Sequence, residues 1–436
     1  MTLTQQLISL IRNKPIGNND LERAAFFTLD AIANALAGRN SEPGKKLLQW
    51  GACQGNDAGR KAFVIGGLTH ILETDDLHRA SVTHPGCVVV PAVFALAERE
   101  KSNSVDILKA VLQGFEAMCR VGSAVGPAHY RIWHNTATCG PFGSAMAAAS
   151  LLALSDEQAM FALGNAGTQS SGLWQFLETG AMSKHLHAGR AAEAGVVAAD
   201  LALLDFTGPP AILEGEKGFF VATCADAKPE SVTAASDAPW QLTTTSIKPW
   251  PSCRHTHPAI DAALELHNEL AGREIKSVHI DTYQAAMDVC DRPNPDSEYA
   301  AKFSIFHCVA AALDAGEVIF DSFSEANRLR LGSLRDRITS VVANPYAEDY
   351  PDSWGSAVSV TCTNGDRLVA TRTAAKGDPE LALSNDEMIA KAKMLLDHGG
   401  YSQQQAEKII EGVLGLAKEH ASVEIVNYVC GQLNNN

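Results

Sequence analysis

The sequence predicts a mainly α protein with an α+β domain: a large all-helical domain formed by both chain ends, residues 1–240 and 385–436, and a smaller inserted α+β domain over 241–384. Three observations carry this. Up to residue 240 the chain is a succession of alanine-rich segments with apolar residues at helical spacing and almost no strand signal. From about 240 onward, β-branched runs and an Asn-Gly turn appear. After 385 the helical period returns, so the chain comes back to the domain it left.

Taken in order, residues 3–12 read as an amphipathic helix, because polar residues interrupt the apolar run of MTLTQQLISLIRNKPIG. The same interruptions argue against a signal peptide. Over 20–38, Leu21, Ala24, Ala25, Thr28, Leu29, Ile32, Ala33 and Leu36 follow one helical face, and Gly38 is a stop signal. Helices are expected over 44–53, 57–72, 85–100, 103–125, 140–154, 156–166 and 188–205. GNAGTQSSG at 164–172 reads as a tight glycine-rich connection. No repeat period is visible, so a solenoid has no support.

The inserted block opens with QLTTTSIKPW, β-branched and strand-like, and continues with strand candidates at 277–283 and 337–345. Residues 356–374 predict a hairpin around a two-residue Asn364-Gly365 turn. Helices are expected between these at 257–270 and 297–315. In the tail, 385–400 and 402–420 are helical, with Asn385 and Ser402 as N-caps, and the terminal LNNN reads as frayed.

Composition narrows the function. The chain has 436 residues, 46% hydrophobic and 19% charged, an ordinary globular balance able to bury a large core. Thirty-five basic against 50 acidic residues leave a net charge of −15, which argues against nucleic acid or an anionic membrane as partner. An anionic substrate must then be drawn by a local basic cluster. None of the ten cysteines forms a C-x-x-C pair, and most sit among small apolar residues, as reduced buried thiols do. No uncharged 18-residue apolar stretch occurs, so no membrane span is expected. These features predict a reduced, cytoplasmic protein.

The densest basic stretch is ETGAMSKHLHAGRAAEAG, where Lys184, His185, His187 and Arg190 fall within seven residues. Lys184 and His187 share a helical face, and a helix start there favours a carboxylate or phosphate. KPWPSCR, with Lys248 and Arg254 around two prolines, is a second rigid cationic stretch suited to carboxylates. Most of the 14 histidines cluster in five stretches: His78 with His84, His129 with His134, His185 with His187, His255 with His257, and His307. Folding that brings them together suits general acid–base chemistry. His255-x-His257 and Asp75/Asp76 have no recognised metal spacing, and neither a G-x-S-x-G elbow nor a phosphate-binding glycine loop is present.

Six of these stretches, in this order, resemble the MmgE/PrpD family. They are D-D…T-H-P-G (Asp75 to Gly86), H-x-T-A-T-x-G-x-F-G (His134 to Gly143) and K-x-L-H-x-G-R-A-A (Lys184 to Ala192). They continue with L-E-G-x-x-G-F (Leu213 to Phe219), K-P-W-P-S-C-R-x-T-H-P-A (Lys248 to Ala259) and A-K-F-S (Ala301 to Ser304). The resemblance covers essentially the whole chain and is far more specific for family than for reaction. It implies a cofactor-free cytoplasmic enzyme, a homodimer, acting on small di- or tricarboxylates at a domain cleft, in a family that includes 2-methylcitrate dehydratase and cis-aconitate decarboxylase.

Carried over residue by residue, the resemblance places the family's aspartate on Asp75 or Asp76, its histidines on His84 and His134, and its lysines on Lys184 and Lys248. A tyrosine common in the family is replaced by His307, and the decarboxylase D-D-T reads Asp75-Asp76-Leu77. Both departures bear on substrate choice. The expected roles are His84 and His134 as the acid–base pair, Asp76 orienting one imidazole, and His307 as a second acid. Lys184, Lys248, Arg254 and His187 would hold carboxylates and spread developing negative charge. No metal or organic cofactor is required. The leading expectation is a dehydratase or decarboxylase. An epimerase of a dicarboxylate, of the iminodisuccinate type in the same family, is the alternative, and a non-catalytic helical scaffold is more remote.

Overall fold

The computed structural model describes residues 1–52, 57–418 and 423–433. Cys53, the expected helical residues 419–420 and the last three residues of LNNN lie outside the described residues. The chain divides into two compact units, Met1–Ser246 with Ser384–Asn436, and Ile247–Leu383. Helices of ten residues or more are numbered here in chain order.

The first unit is helical. It contains α1 (Leu3–Asn13), α2 (Asn18–Gly38), α3 (Glu42–Ala52), α4 (Ala58–Thr69), α5 (Gly86–Glu100), α6 (Ser104–Ala124), α7 (Asn135–Leu151), α8 (Asp156–Gly167) and α9 (Ser183–Leu203). The unit is completed from the other end by α12 (Asn385–His398), α13 (Gln403–Gly415) and α14 (Glu424–Leu433). Side-chain caps fix many starts: Thr2, Asn103, Ser155, Ser384 and Ser402 each accept a backbone N–H from the first turn. The cap of α12 is thus Ser384 and not Asn385, because the serine side chain also closes a capping box with Glu387.

Small residues let these helices approach closely. α7 packs against α6 and α9, and α9 against α4. At the α7–α9 crossing, a Cβ on Gly195 would fall 2.2 Å from Ser144 Oγ and 2.3 Å from the Ala145 nitrogen. The same crossing is tied by Ser144 Oγ donating to the Ala191 carbonyl at 2.6 Å. α2 is buried continuously from Ala24 to Gly38 and receives α12 and α13. Among the described residues no helix is long and apolar enough to cross a membrane.

The second unit holds one four-stranded sheet, in the order β2-β1-β3-β4, made of β1 (Ile275–Thr282), β2 (Ile338–Val342), β3 (Ser356–Cys362) and β4 (Arg367–Arg372). β1 and β2 are parallel; the other pairs are antiparallel. α10 (His257–Leu270) and α11 (Ile305–Ala315) pack together and onto the strands. Val278, Ile280, Val358 and Val360 alternate inward to form the core beneath them. The mainly α architecture with a small sheet is the fold class that the sequence predicts.

Two local expectations are corrected. QLTTTSIKPW is not a strand: Gln241–Thr244 is a 3-10 turn, followed by a single bridge between Ser246 and Leu77. The Thr243 hydroxyl donates to the Trp240 carbonyl, and the Thr244 and Thr245 hydroxyls donate to that of Gln241. Such local bonds compete with a strand ladder. The hairpin turn is also longer than two residues. Gly365 N–H donates to the Cys362 carbonyl, Cys362 N–H to that of Asp366, and Gly365 alone is left-handed at φ 94°. This is the three-residue form that ends in a left-handed glycine.

Candidate active site

The loop from His70 to Gly86 joins α4 to α5 and carries a dense run of buried polar side chains, His70, Glu73, Thr74, Asp75, Asp76 and His78 among them. Two of its non-glycine residues are left-handed, Glu73 at φ 63° and Val82 at φ 48°. Such conformations persist only where the surroundings impose them, and they concentrate at functional sites.

Within the loop the acids and imidazoles interlock. His70 Nδ1 donates to Asp75 Oδ2 at 2.6 Å, and the same oxygen lies 3.5 Å from His84 Nδ1. His84 Nδ1 donates to the Asp76 carbonyl at 2.5 Å. That fixes the hydrogen on Nδ1 and leaves Nε2 as the basic nitrogen of the neutral ring. The carboxylate facing the imidazoles is therefore Asp75. Asp76, expected to orient a histidine through its side chain, instead turns both carboxylate oxygens to the Gly86 N–H at the start of α5, 3.0 Å each. Burial, then Asp75 and Asp30, push the Asp76 carboxyl well above the usual range; the Gly86 N–H and Lys391 offset part of this.

His134 precedes α7 and joins this group. Its ring stacks on His70 at 5.7 Å and lies 4.6 Å from the Trp174 ring, while the rings of His70 and His84 are 4.7 Å apart. His134 Nδ1 and His187 Nδ1 are 3.2 Å apart, so one donates and the other accepts. Burial, then the nearby His70, His187 and Lys184, hold His134 well below the ordinary histidine value. Burial lowers His187 to about 4. Both imidazoles are neutral bases at neutral pH. A cavity of about 610 Å³ opens beside His187, with Gln169, Gln175, Phe176, Leu186 and Arg190 also in its wall.

Lys184 stands in the first turn of α9, buried and ion-paired to Glu73. It is a partnered cation, not one standing open to solvent. His185, on the same turn, is lowered to about 4 by burial and then by Lys184. His78 and His129 are framework groups. The His78 ring contacts Ser81 and Thr244; that of His129 contacts the Thr223 carbonyl and Thr138.

The remaining expected residues belong to the second unit. Lys248 is buried there. Arg254, expected to grip a ligand carboxylate, grips Asp378 at 2.6 Å and donates to the Ala375 and Lys376 carbonyls and to His257 Nδ1. His307, expected to be an acid, donates from Nε2 to the Ser322 carbonyl and accepts on Nδ1 from Arg335. Its proton is committed to the framework, and burial lowers the ring to about 4. His255 bonds Tyr283 and stacks on Trp354 at 4.4 Å.

Sequence reasoning passed over His70 and Glu73. His70 closes an apolar segment, FVIGGLTHILE, whose hydrophobicity reads as buried core. The available signal was its placement five residues before Asp75, next to Glu73 and the acidic pair. Among the described residues, His70, Asp75 and His84 are also the one group able to converge on a metal ion, with ligand atoms within 4.8 Å of one another. Ligands sharing a tetrahedral zinc at 2.0–2.1 Å lie roughly 3.3 Å apart. The 2.6 Å between His70 Nδ1 and Asp75 Oδ2 is instead a hydrogen-bond distance, so this group fits a proton-handling pair better than a metal site.

Comparison with known proteins finds two family domains along the chain. The family model described as the MmgE/PrpD N-terminal domain matches residues 6–232, and that of the C-terminal domain matches 250–416. A cis-aconitate decarboxylase of Aspergillus terreus is 28% identical over 443 residues, covering 92% of this chain and 90% of its own. The cis-aconitate decarboxylase of Homo sapiens is 29% identical over 294 residues, 64% of this chain and 60% of its own. A mitochondrial 2-methylcitrate dehydratase of Yarrowia lipolytica is 30% identical over 128 residues, 27% of this chain and 25% of its own. With one domain model alone spanning more than half its length, the chain belongs to the MmgE/PrpD family.

Proposed function

We propose that this protein is a lyase that dehydrates or decarboxylates a small di- or tricarboxylate, using the imidazoles gathered around the His70–Gly86 loop to move a proton at a carbon next to a carboxylate. One observation carries the reading: a buried neutral imidazole, His134, stacked on an imidazole that is bonded to Asp75. Such a pair can accept a proton from carbon and hold it, with the carboxylate stabilising the imidazolium that results. The names of the relatives support the reaction class.

In a dehydration, a ring nitrogen of His84 or His134 takes the proton. The C–H electrons form the double bond, and the imidazolium so formed gives its proton to the departing hydroxide, which leaves as water. In a decarboxylation, the C–C bond breaks, CO₂ leaves, and the carbon keeps the electron pair and takes a proton from an imidazole that solvent has protonated beforehand. Lys184 would face a substrate carboxylate in either case, sharing its charge between that group and Glu73. His187 would relay protons between His134 and the neighbouring cavity.

The test is NMR of the purified protein with cis-aconitate, 2-methylcitrate and related di- and tricarboxylates in deuterated water. Loss of CO₂ or water is expected. Deuterium entering a retained stereocentre without either loss would replace the lyase reading with an epimerase. No turnover and no exchange on any of them would overturn it. The homodimer is part of the same proposal and is tested by light scattering.

A further inference from the structure

We propose that Lys391, on the returning helix α12, is a positioning residue that sets the Thr74–Asp75 peptide and thereby the two carboxylates of the candidate active site. The inference rests on the reading of that site given above. Lys391 reaches Thr74 across 317 positions of chain.

Its ammonium is buried and makes two short contacts, to Asp30 Oδ1 at 2.5 Å and to the Thr74 carbonyl at 2.6 Å. Asp30 lies on α2, so the first contact joins two helices. The second grips the oxygen of the peptide bond that leads into Asp75. Thr74 is held from its side chain as well: its hydroxyl donates to Asn34 Oδ1, and Asn34 Nδ2 donates to the Asp30 carbonyl at 2.9 Å. On the other side of Thr74 stands the left-handed Glu73, paired with Lys184. The two residues before the acidic pair are thus fixed by α2, α9 and α12 together.

A buried Lys–Asp pair is weak evidence of stability by itself, since apolar residues of similar size often serve as well. What an apolar pair could not do is donate to the Thr74 carbonyl. The cation also bears on Asp76. The groups facing that carboxyl are Asp75 on the loop, Asp30 on α2, the Gly86 N–H and Cys87 on α5, Cys119 on α6, and Lys391 on α12. Lys391 is the cation among them, and removing it favours the protonated acid further.

The experiment compares Lys391→Met, Lys391→Arg and the double variant Asp30→Asn/Lys391→Met with wild type. The readouts are melting temperature, kcat, KM, the pH–rate profile and the histidine ring resonances. Lys391→Met should lower kcat roughly ten- to hundredfold, the scale of a small misplacement of catalytic groups, with KM nearly unchanged. Its acid limb should move to higher pH. The double variant should regain melting temperature by removing the buried charge that has lost its cation, yet keep the kinetic defect and the altered His70 and His84 resonances. Lys391→Arg should restore part of kcat. A double variant with wild-type kcat, pH profile and histidine resonances would overturn the inference. If wild type turned over no polycarboxylate, the lyase reading would fall. The histidine resonances would still judge Lys391, and unchanged resonances in a folded variant would reject its role.

Discussion

Replacing Lys184 by alanine should destabilise the helical unit strongly, through the partner that it leaves behind. The Lys184 and Glu73 side chains are only 8% and 2% exposed. A lysine standing open in a cleft would give the resting protein little stability, but here its loss strands a carboxylate in the interior. Breaking one side of a buried pair costs about 3–5 kcal/mol. For a body of this size that lowers the melting temperature by roughly 6–10 °C, at about 2 °C per kcal/mol. Glu73→Gln alone should also destabilise, because it leaves the ammonium without its anion. Lys184→Met/Glu73→Gln should recover most of the loss, since neither charge remains. The assay is a double-mutant cycle by thermal and urea unfolding, with activity measured on the folded fraction. A coupling energy below about 0.5 kcal/mol, with Lys184→Ala as stable as wild type, would refute the reasoning. If the stable double variant is also inactive, Lys184 has a role in turnover separate from folding.

Other outcomes follow from the same structure. Gly195→Ala should destabilise by about 1–3 kcal/mol or more, as overpacking does, because its methyl group meets α7 backbone; equilibrium unfolding checks this. Stability should fall as pH drops from about 6.5 toward 4. His78, His185, His187 and His307, lowered to about 4, and His255, lowered to about 3, stay neutral in the folded state while the unfolded chain takes up protons. Each contributes stability that is fully present above the unfolded value and is lost, at up to about 1.4 kcal/mol per pH unit, as pH falls from there through the folded one. Asp76, raised, has the opposite slope, so urea midpoints flat from pH 7 to 4.5 would contradict the histidine assignment. His134→Gln should reduce kcat by about 10²–10⁴, the range for general acid–base groups, with a smaller change in KM. Turnover should survive prolonged EDTA; loss restored by one divalent ion would return His70, Asp75 and His84 to consideration as ligands.

How far the sequence is legible depends on the range of the force at work. Helix period and serine caps are local, and so the helices of the first unit can be read from their own residues. The run at Gln241 misleads because β-branched composition promises a strand, while the three threonine hydroxyls fold it back on itself. His84 and His134 stand out because turn residues and short motifs surround them. His70 does not, because its neighbours are those of a core helix and its acid partner is visible only once the loop turns. The roles expected of Arg254 and His307 assume side chains available to a ligand. Pairing with Asp378 and with Arg335 is set by residues 124 and 28 positions away, beyond any local pattern.

The contact between Lys391 and Asp30 also has a consequence in time. A ribosome adding about 5–20 residues per second reaches Lys391 roughly 15–60 s after Thr74. Until then Asp30 lacks the cation beside which it is buried, and closing α2 around it would be costly. The nascent helical unit therefore has reason to stay loose at its centre while the whole α+β insert is synthesised. Pulse proteolysis of stalled chains should find α2 cleavable before residue 391 emerges and protected soon after. The returning helix α12 then acts as a latch, closing this unit only after the insert has been made although most of its residues are made first.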